Sequence, residues 1–98
     1  MTAQADVILV IEDEIPILEN ILEILTINNY DAHGAQNGVE GVRKAYDLMP
    51  DLILCDINMP ELDGYGVLMT LRSDSRTHHI PLVFLTAFVD REFQRRGM

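Results

Sequence analysis

A chain of 98 residues with 48% hydrophobic and 23% charged side chains suffices for one small globular domain and is too apolar to stay disordered. Its 16 acidic residues outnumber the 7 basic ones, for a formal charge of -9. That balance excludes the basic footprint of non-specific nucleic-acid binders and disfavours docking on anionic membranes, so neither is expected as a direct partner.

The pattern along the chain is a regular alternation. Residues 6–11 carry the run Val7-Ile8-Leu9-Val10-Ile11, rich in β-branched side chains, which predicts a strand buried on both faces. A first helix is expected from near Glu14, with Pro16 in its first turn, where a missing N–H costs nothing. Its apolar positions Ile17, Leu18, Ile21, Leu22 and Leu25 recur at three- and four-residue spacing, and Asn28-Asn29 ends it. Residues 30–34 form a short, weakly apolar second strand suited to a sheet edge. Asn37 is placed to cap a second helix whose buried side would carry Val39, Val42, Ala45 and Tyr46. Pro50 breaks the chain before a third strand over residues 51–56. The loop from Ile57 to Gly64 leads to a third helix carrying Val67, Leu68 and Leu71. After a polar stretch, residues 81–86 read as a fourth strand, and a fourth helix starts near Val89 or Asp90. Strands alternating with helices imply a parallel sheet with right-handed crossovers. Ligands of such sheets bind at the carboxyl ends of the strands.

Three carboxylates stand at those ends. Glu12 and Asp13 follow the first apolar run, and Asp56 follows Leu52-Ile53-Leu54-Cys55. If the first and third strands are parallel neighbours, the three acids share one crevice, where like charges need a cation or a proton. Oxygen-only ligands favour a hard divalent ion, and Mg²⁺ commonly takes one or two carboxylates together with waters and phosphate oxygens. The pattern therefore predicts an acidic metal pocket suited to phosphoryl chemistry. Cys55 is the only cysteine, so no internal disulfide can form and a reducing compartment suits the chain. The first six residues lack a basic leader region, and no apolar stretch approaches about 18 residues. A soluble, cytoplasmic protein is expected.

Several segments, in order, resemble the receiver domain of bacterial two-component response regulators. They are Val10-Ile11-Glu12-Asp13-Glu14, the Asp51-Leu52-Ile53-Leu54-Cys55-Asp56 strand, the Met59-Pro60-Glu61-Leu62-Asp63-Gly64 loop and Pro81-Leu82-Val83-Phe84-Leu85-Thr86-Ala87. The resemblance covers essentially the whole chain, residues 1–98 read as a single receiver domain. It implies an α/β, flavodoxin-like or CheY-like parallel sheet with strand order 2-1-3-4. It also implies that Asp56 accepts a phosphoryl group from the phosphohistidine of a sensor histidine kinase, that Asp13 binds Mg²⁺ directly, and that Glu12 assists through water. Asn58 would offer its backbone carbonyl to the metal. Thr86 would be the switch hydroxyl that turns to the phosphoryl oxygens, with Ala87 as the small residue keeping the pocket open. Such a chain would be a signalling switch rather than an enzyme acting on a separate substrate.

Receiver domains carry a fifth strand with a lysine and a fifth helix, and this chain stops where the fourth helix should be running. The sequence is therefore expected to be C-terminally incomplete. Its only lysine, Lys44, is assigned to the second helix, away from the strand ends. The fourth strand would then offer an apolar edge, through which a homo-oligomer could form.

Plainer roles compete for several of these residues. Asp13 or Asp56 could cap a helix, and Thr86 could be an ordinary strand-end hydroxyl. His33, His78 and His79 fit solvated positions, Met59 loop filler, Met69 core filler, and Arg91, Arg95 and Arg96 a solvated face. Two other function classes stand against the phosphoacceptor. One is a receiver-shaped interaction module without phosphotransfer. The other is an aspartyl phosphatase, disfavoured because Asn58 occupies the place of its second acid.

Overall fold

The computed structural model describes residues 5–85. Over that range the elements run β1 (Val7–Ile11), α1 (Ile15–Ile27), β2 (Asp31–Ala35), α2 (Gly38–Leu48), β3 (Leu52–Cys55), α3 (Gly64–Arg72) and β4 (Leu82–Phe84). The strands form one parallel sheet in the order β2-β1-β3-β4, as the resemblance implies. The expected fourth helix and the residues Thr86, Ala87, Arg91, Arg95 and Arg96 lie outside the described residues.

Alternation along the strands splits the core into two layers, because successive side chains point to opposite faces of a sheet. Leu9, Ile11, Ile53 and Cys55 face one side, where Ala45 of α2 and Val67 and Leu71 of α3 close over them. Ile8 and Val10 face the other side and pack against Leu18 of α1, with Ile21, Leu22 and Leu25 around it. Leu52 and Leu54 on that second face are only partly buried, and Val83 of β4 is 52% exposed.

Local chemistry explains the element boundaries. Pro16 sits in the first turn of α1, and Asn28 closes it while Asn29 takes a left-handed φ of 70°. Asn37 caps α2 by accepting a 2.7 Å bond from the Glu40 amide, and Glu40 in turn accepts from the Gln36 amide at 2.8 Å. The first bond satisfies a donor that the first helical turn leaves open, and the second ties the residue before the cap to that turn. Asp63 caps α3 in the same way through the Gly66 amide at 2.8 Å. Past α3, Thr77 is buried and its hydroxyl donates to the Leu71 carbonyl at 2.8 Å, while Arg72 donates to the Ile80 carbonyl at 2.8 Å. These two bonds seat the polar turn that feeds β4.

Two assignments of the sequence reading change. The buried side of α2 is Gly38, Gly41 and Ala45 rather than one led by Val39, which is 59% exposed. A Cβ on Gly41 would lie 2.8 Å from Ile11 Cγ1, so α2 rests its backbone directly on β1 and turns Val39 outward. Met69 is 70% exposed on α3, whereas Met59 is buried and belongs to the core. His78 and His79 are exposed, their rings edge-on at 6.0 Å, in keeping with a surface role.

Ile53 is fully buried between the layers, so Ile53→Ala should cost about 2–5 kcal/mol of unfolding free energy, measured by urea titration. Met69→Ala should stay within about 0.5 kcal/mol of the parent, because the side chain already faces water.

Candidate functional site

The register of the sheet builds the site. Ile11 of β1 pairs with Cys55 of β3, so the residues that follow, Glu12 and Asp56, leave the sheet side by side. The Glu12 amide donates to the Ala35 carbonyl at 3.0 Å and the Asp56 amide to the Ile11 carbonyl at 2.9 Å, fixing both backbones as the strands end. Carboxylate oxygens of Glu12, Asp13 and Asp56 lie within 4.8 Å of one another. Glu12 and Asp56 are buried and Asp13 is half-buried. Asn58 follows on the loop, its amide donating to Asp56 Oδ1 at 3.3 Å. Of the site residues the sequence points to, Glu12, Asp13, Asp56 and Asn58 thus come together, and Thr86 lies outside the described residues.

The electrostatics of the cluster are unfavourable as it stands. With carboxylate oxygens no more than 4.8 Å apart, ionised forms of these groups repel one another. Glu12 carries the consequence. Burial raises its pKa from 4.5 to about 7, the Glu14 backbone N–H (3.1 Å from Oε2) works against the shift, and the charges of Asp56 and Asp13 add to it. Its other oxygen, Oε1, is buried with no hydrogen-bond partner among the described residues. An unsatisfied buried acceptor beside two more carboxylates is a fitting environment for a small hard cation, since the donor set is oxygen only.

The loop after Asp56 is tightly closed. Gly64 donates its amide to the Ile57 carbonyl at 2.8 Å, and a Cβ on Gly64 would lie 2.8 Å from Ile57 Cα. Glu61 takes a left-handed φ of 70°, and the Leu62 amide reaches back to the Pro60 carbonyl at 2.8 Å. Sequence reasoning missed the Glu14 amide as a Glu12 partner and Asp63 as the cap of α3. The second had a signal, an aspartate just ahead of the helix start. Lys44 is engaged elsewhere, with its ammonium 2.5 Å from the Gly34 carbonyl of β2 and 3.5 Å from Glu40.

The raised pKa of Glu12 has a definite sign in stability. The folded state holds this proton more tightly than the unfolded chain, so the contribution is fully present below pH 4.5 and is lost as pH rises through about 7. Without divalent cations, the melting temperature should fall across that window, by a free energy of at most about 3 kcal/mol. Glu12→Gln should flatten the slope, which thermal melts at a series of pH values would measure.

Comparison with known proteins gives a consistent set of similarities. The family model for the response regulator receiver domain matches residues 8–98. The DNA-binding dual master transcriptional regulator RpaA of Synechocystis sp. is 41% identical over 81 residues, 82% of this chain. The chain spans only 33% of that regulator's length. The N-terminal domain of a response regulator receiver protein from Methanoculleus marisnigri superposes with a TM-score of 0.81 at 31% identity, covering 94% of this chain and 76% of that one. The receiver domain of the sensor histidine kinase PA1611 from Pseudomonas aeruginosa, solved with magnesium coordinated in its active-site cleft, gives a TM-score of 0.76 at 29% identity over 90% of this chain and 75% of its own.

Proposed function

The chain belongs to the response regulator receiver domain family, and from that membership we propose that it is a phosphoacceptor switch of two-component signalling, charged on Asp56 by a sensor histidine kinase in the cytoplasm. The observation that carries this reading is the convergence of Glu12, Asp13 and Asp56 within 4.8 Å at the ends of β1 and β3. Asp56 attacks phosphorus through a carboxylate oxygen. A new P–O bond forms as the P–N bond to the donor histidine breaks, and the electron pair leaves with the imidazole nitrogen. Glu12, Asp13, Asp56 and the Asn58 carbonyl would hold Mg²⁺, which when bound offsets charge on the transferring oxygens. The magnesium in the cleft of the PA1611 receiver and the Glu12 Oε1, which has no hydrogen-bond partner among the described residues, both support that assignment. Burial of Asp56 at 6% exposure limits water at the acceptor, and the Asn58 amide sets the direction of its Oδ1.

The switch function needs a group that responds to the acyl phosphate. Thr86 is proposed for it, because it follows β4 by two residues in the sequence and β4 runs parallel to β3. A phosphoryl group brings charge and strong acceptor oxygens, and a hydroxyl drawn to them can bias a two-state loop. Self-association through β4 is a second proposal. It is supported by the position of β4 at the edge of the described sheet and by the exposure of Val83.

Incubation with acetyl phosphate and Mg²⁺, followed by intact mass measurement, should give one phosphate adduct on the parent protein and none on Asp56→Asn. No adduct on either would favour the interaction-module reading. Sedimentation of the 98-residue chain should show a concentration-dependent dimer. A monomer throughout the micromolar range would remove the β4 pairing.

A further inference from the structure

The loop that follows Asp56 is held from the side by a helix that contributes no ligand. Gly38 opens α2, and a Cβ built on it would overlap the Leu62 backbone carbonyl oxygen and lie 3.0 Å from Leu62 Cβ. The obstruction is mostly main chain, so relief would require the loop itself to move. On the other flank, a Cβ on Gly66 would lie 2.5 Å from Leu62 Cδ1, the end of a side chain that can rotate away. Leu62 is therefore wedged between the first residue of α2 and the first turn of α3. Its own amide is bonded back to the Pro60 carbonyl, and Gly64 ties the base of the loop to Ile57.

Backbone conformation is not what requires glycine at position 38. No described glycine has a positive φ, and helix propensity favours alanine over glycine. The close approach to Leu62 is the remaining cause. Asn37, next in the chain, locks the start of α2 through the Glu40 amide, so Gly38 presents a fixed surface.

We propose that Gly38 is a positioning residue. By admitting the Leu62 carbonyl against the N-terminus of α2, it sets the loop that carries Asn58 beside Asp56, and so sets the affinity of the acidic cluster for a divalent cation. The inference rests on the receiver reading of that cluster. A side chain at position 38 displaces the Leu62 backbone, and the displacement passes along the short closed loop to Asn58, whose amide lies 3.3 Å from Asp56 Oδ1. Groups that orient metal ligands without touching the metal commonly change its affinity ten- to a hundredfold.

The test compares the parent chain with Gly38→Ala, Leu62→Ala and Val39→Ala, using Mg²⁺ titration calorimetry and the backbone amide resonances of the metal-free proteins. Gly38→Ala should bind Mg²⁺ about tenfold more weakly, with the Asn58 and Met59 amides shifted. Val39→Ala, altered on the exposed side of the same turn, should match the parent in both. Gly38→Ala that folds, binds Mg²⁺ like the parent and leaves those amides in place would overturn the proposal. Should Gly38→Ala fail to fold, Leu62→Ala decides: weaker binding with shifted Asn58 supports it, and parental behaviour sinks it. A parent that takes up no Mg²⁺ would overturn the metal reading of the cluster, and the amide shifts would still decide the role of Gly38.

Discussion

The in-register pairing of β1 with β3 is the constraint on which the site depends. Because Ile11 lies opposite Cys55, the next residue on each strand is a carboxylate leaving the sheet at the same level. A slip of one residue would send one of them to the opposite face, since side chains alternate along a strand. The register is held by apolar burial on both sides. Leu9, Val10, Ile11, Ile53 and Cys55 have no measurable exposure, so any slip would place these side chains against the wrong layer. The hydrophobic core thus forces together groups that repel one another. The strain appears in Glu12, whose proton affinity rises and whose Oε1 stands without a partner among the described residues.

Around this pair the structure trades side chains for backbone contact. Gly41 lets α2 sit on Ile11, Gly64 lets α3 start against Ile57, and Gly38 admits the Leu62 carbonyl. All three lie on α2 or α3, which cover one face of the sheet. Close approach of main chain leaves few soft side chains to absorb movement. A change in one element is then passed to the next as a shift rather than dissipated.

Much of this was legible in the residues themselves. The β-branched run of β1, the Asn37 cap and the position of Pro16 carry local signals, and local chemistry decided those elements. The three carboxylates at strand ends were legible because a parallel sheet turns position along a strand into position in space. The phase of α2 was not. Val39 is apolar and correctly spaced, but Gly38, Gly41 and Ala45 offer a closer surface to β1, and proximity of backbone outweighed the burial of one valine. Met69 misled for a related reason, since α3 buries Val67 and Leu71 and turns Met69 to solvent. The wedge at Leu62 was invisible in sequence, because it joins residues 24 positions apart through shape alone.

The thiol of Cys55 offers a use unrelated to signalling. It is the sole cysteine, it has no measurable exposure, and burial together with the nearby charges of Asp56, Glu12 and Asp63 pushes its pKa to about 12. Only the thiolate reacts with alkylating reagents, so the native protein is silent to them. Modification requires an opening that brings the thiol to solvent, and its rate therefore reports on openings around the end of β3. The molecule thus contains its own clock for the breathing of its core, readable without an added dye or an engineered label.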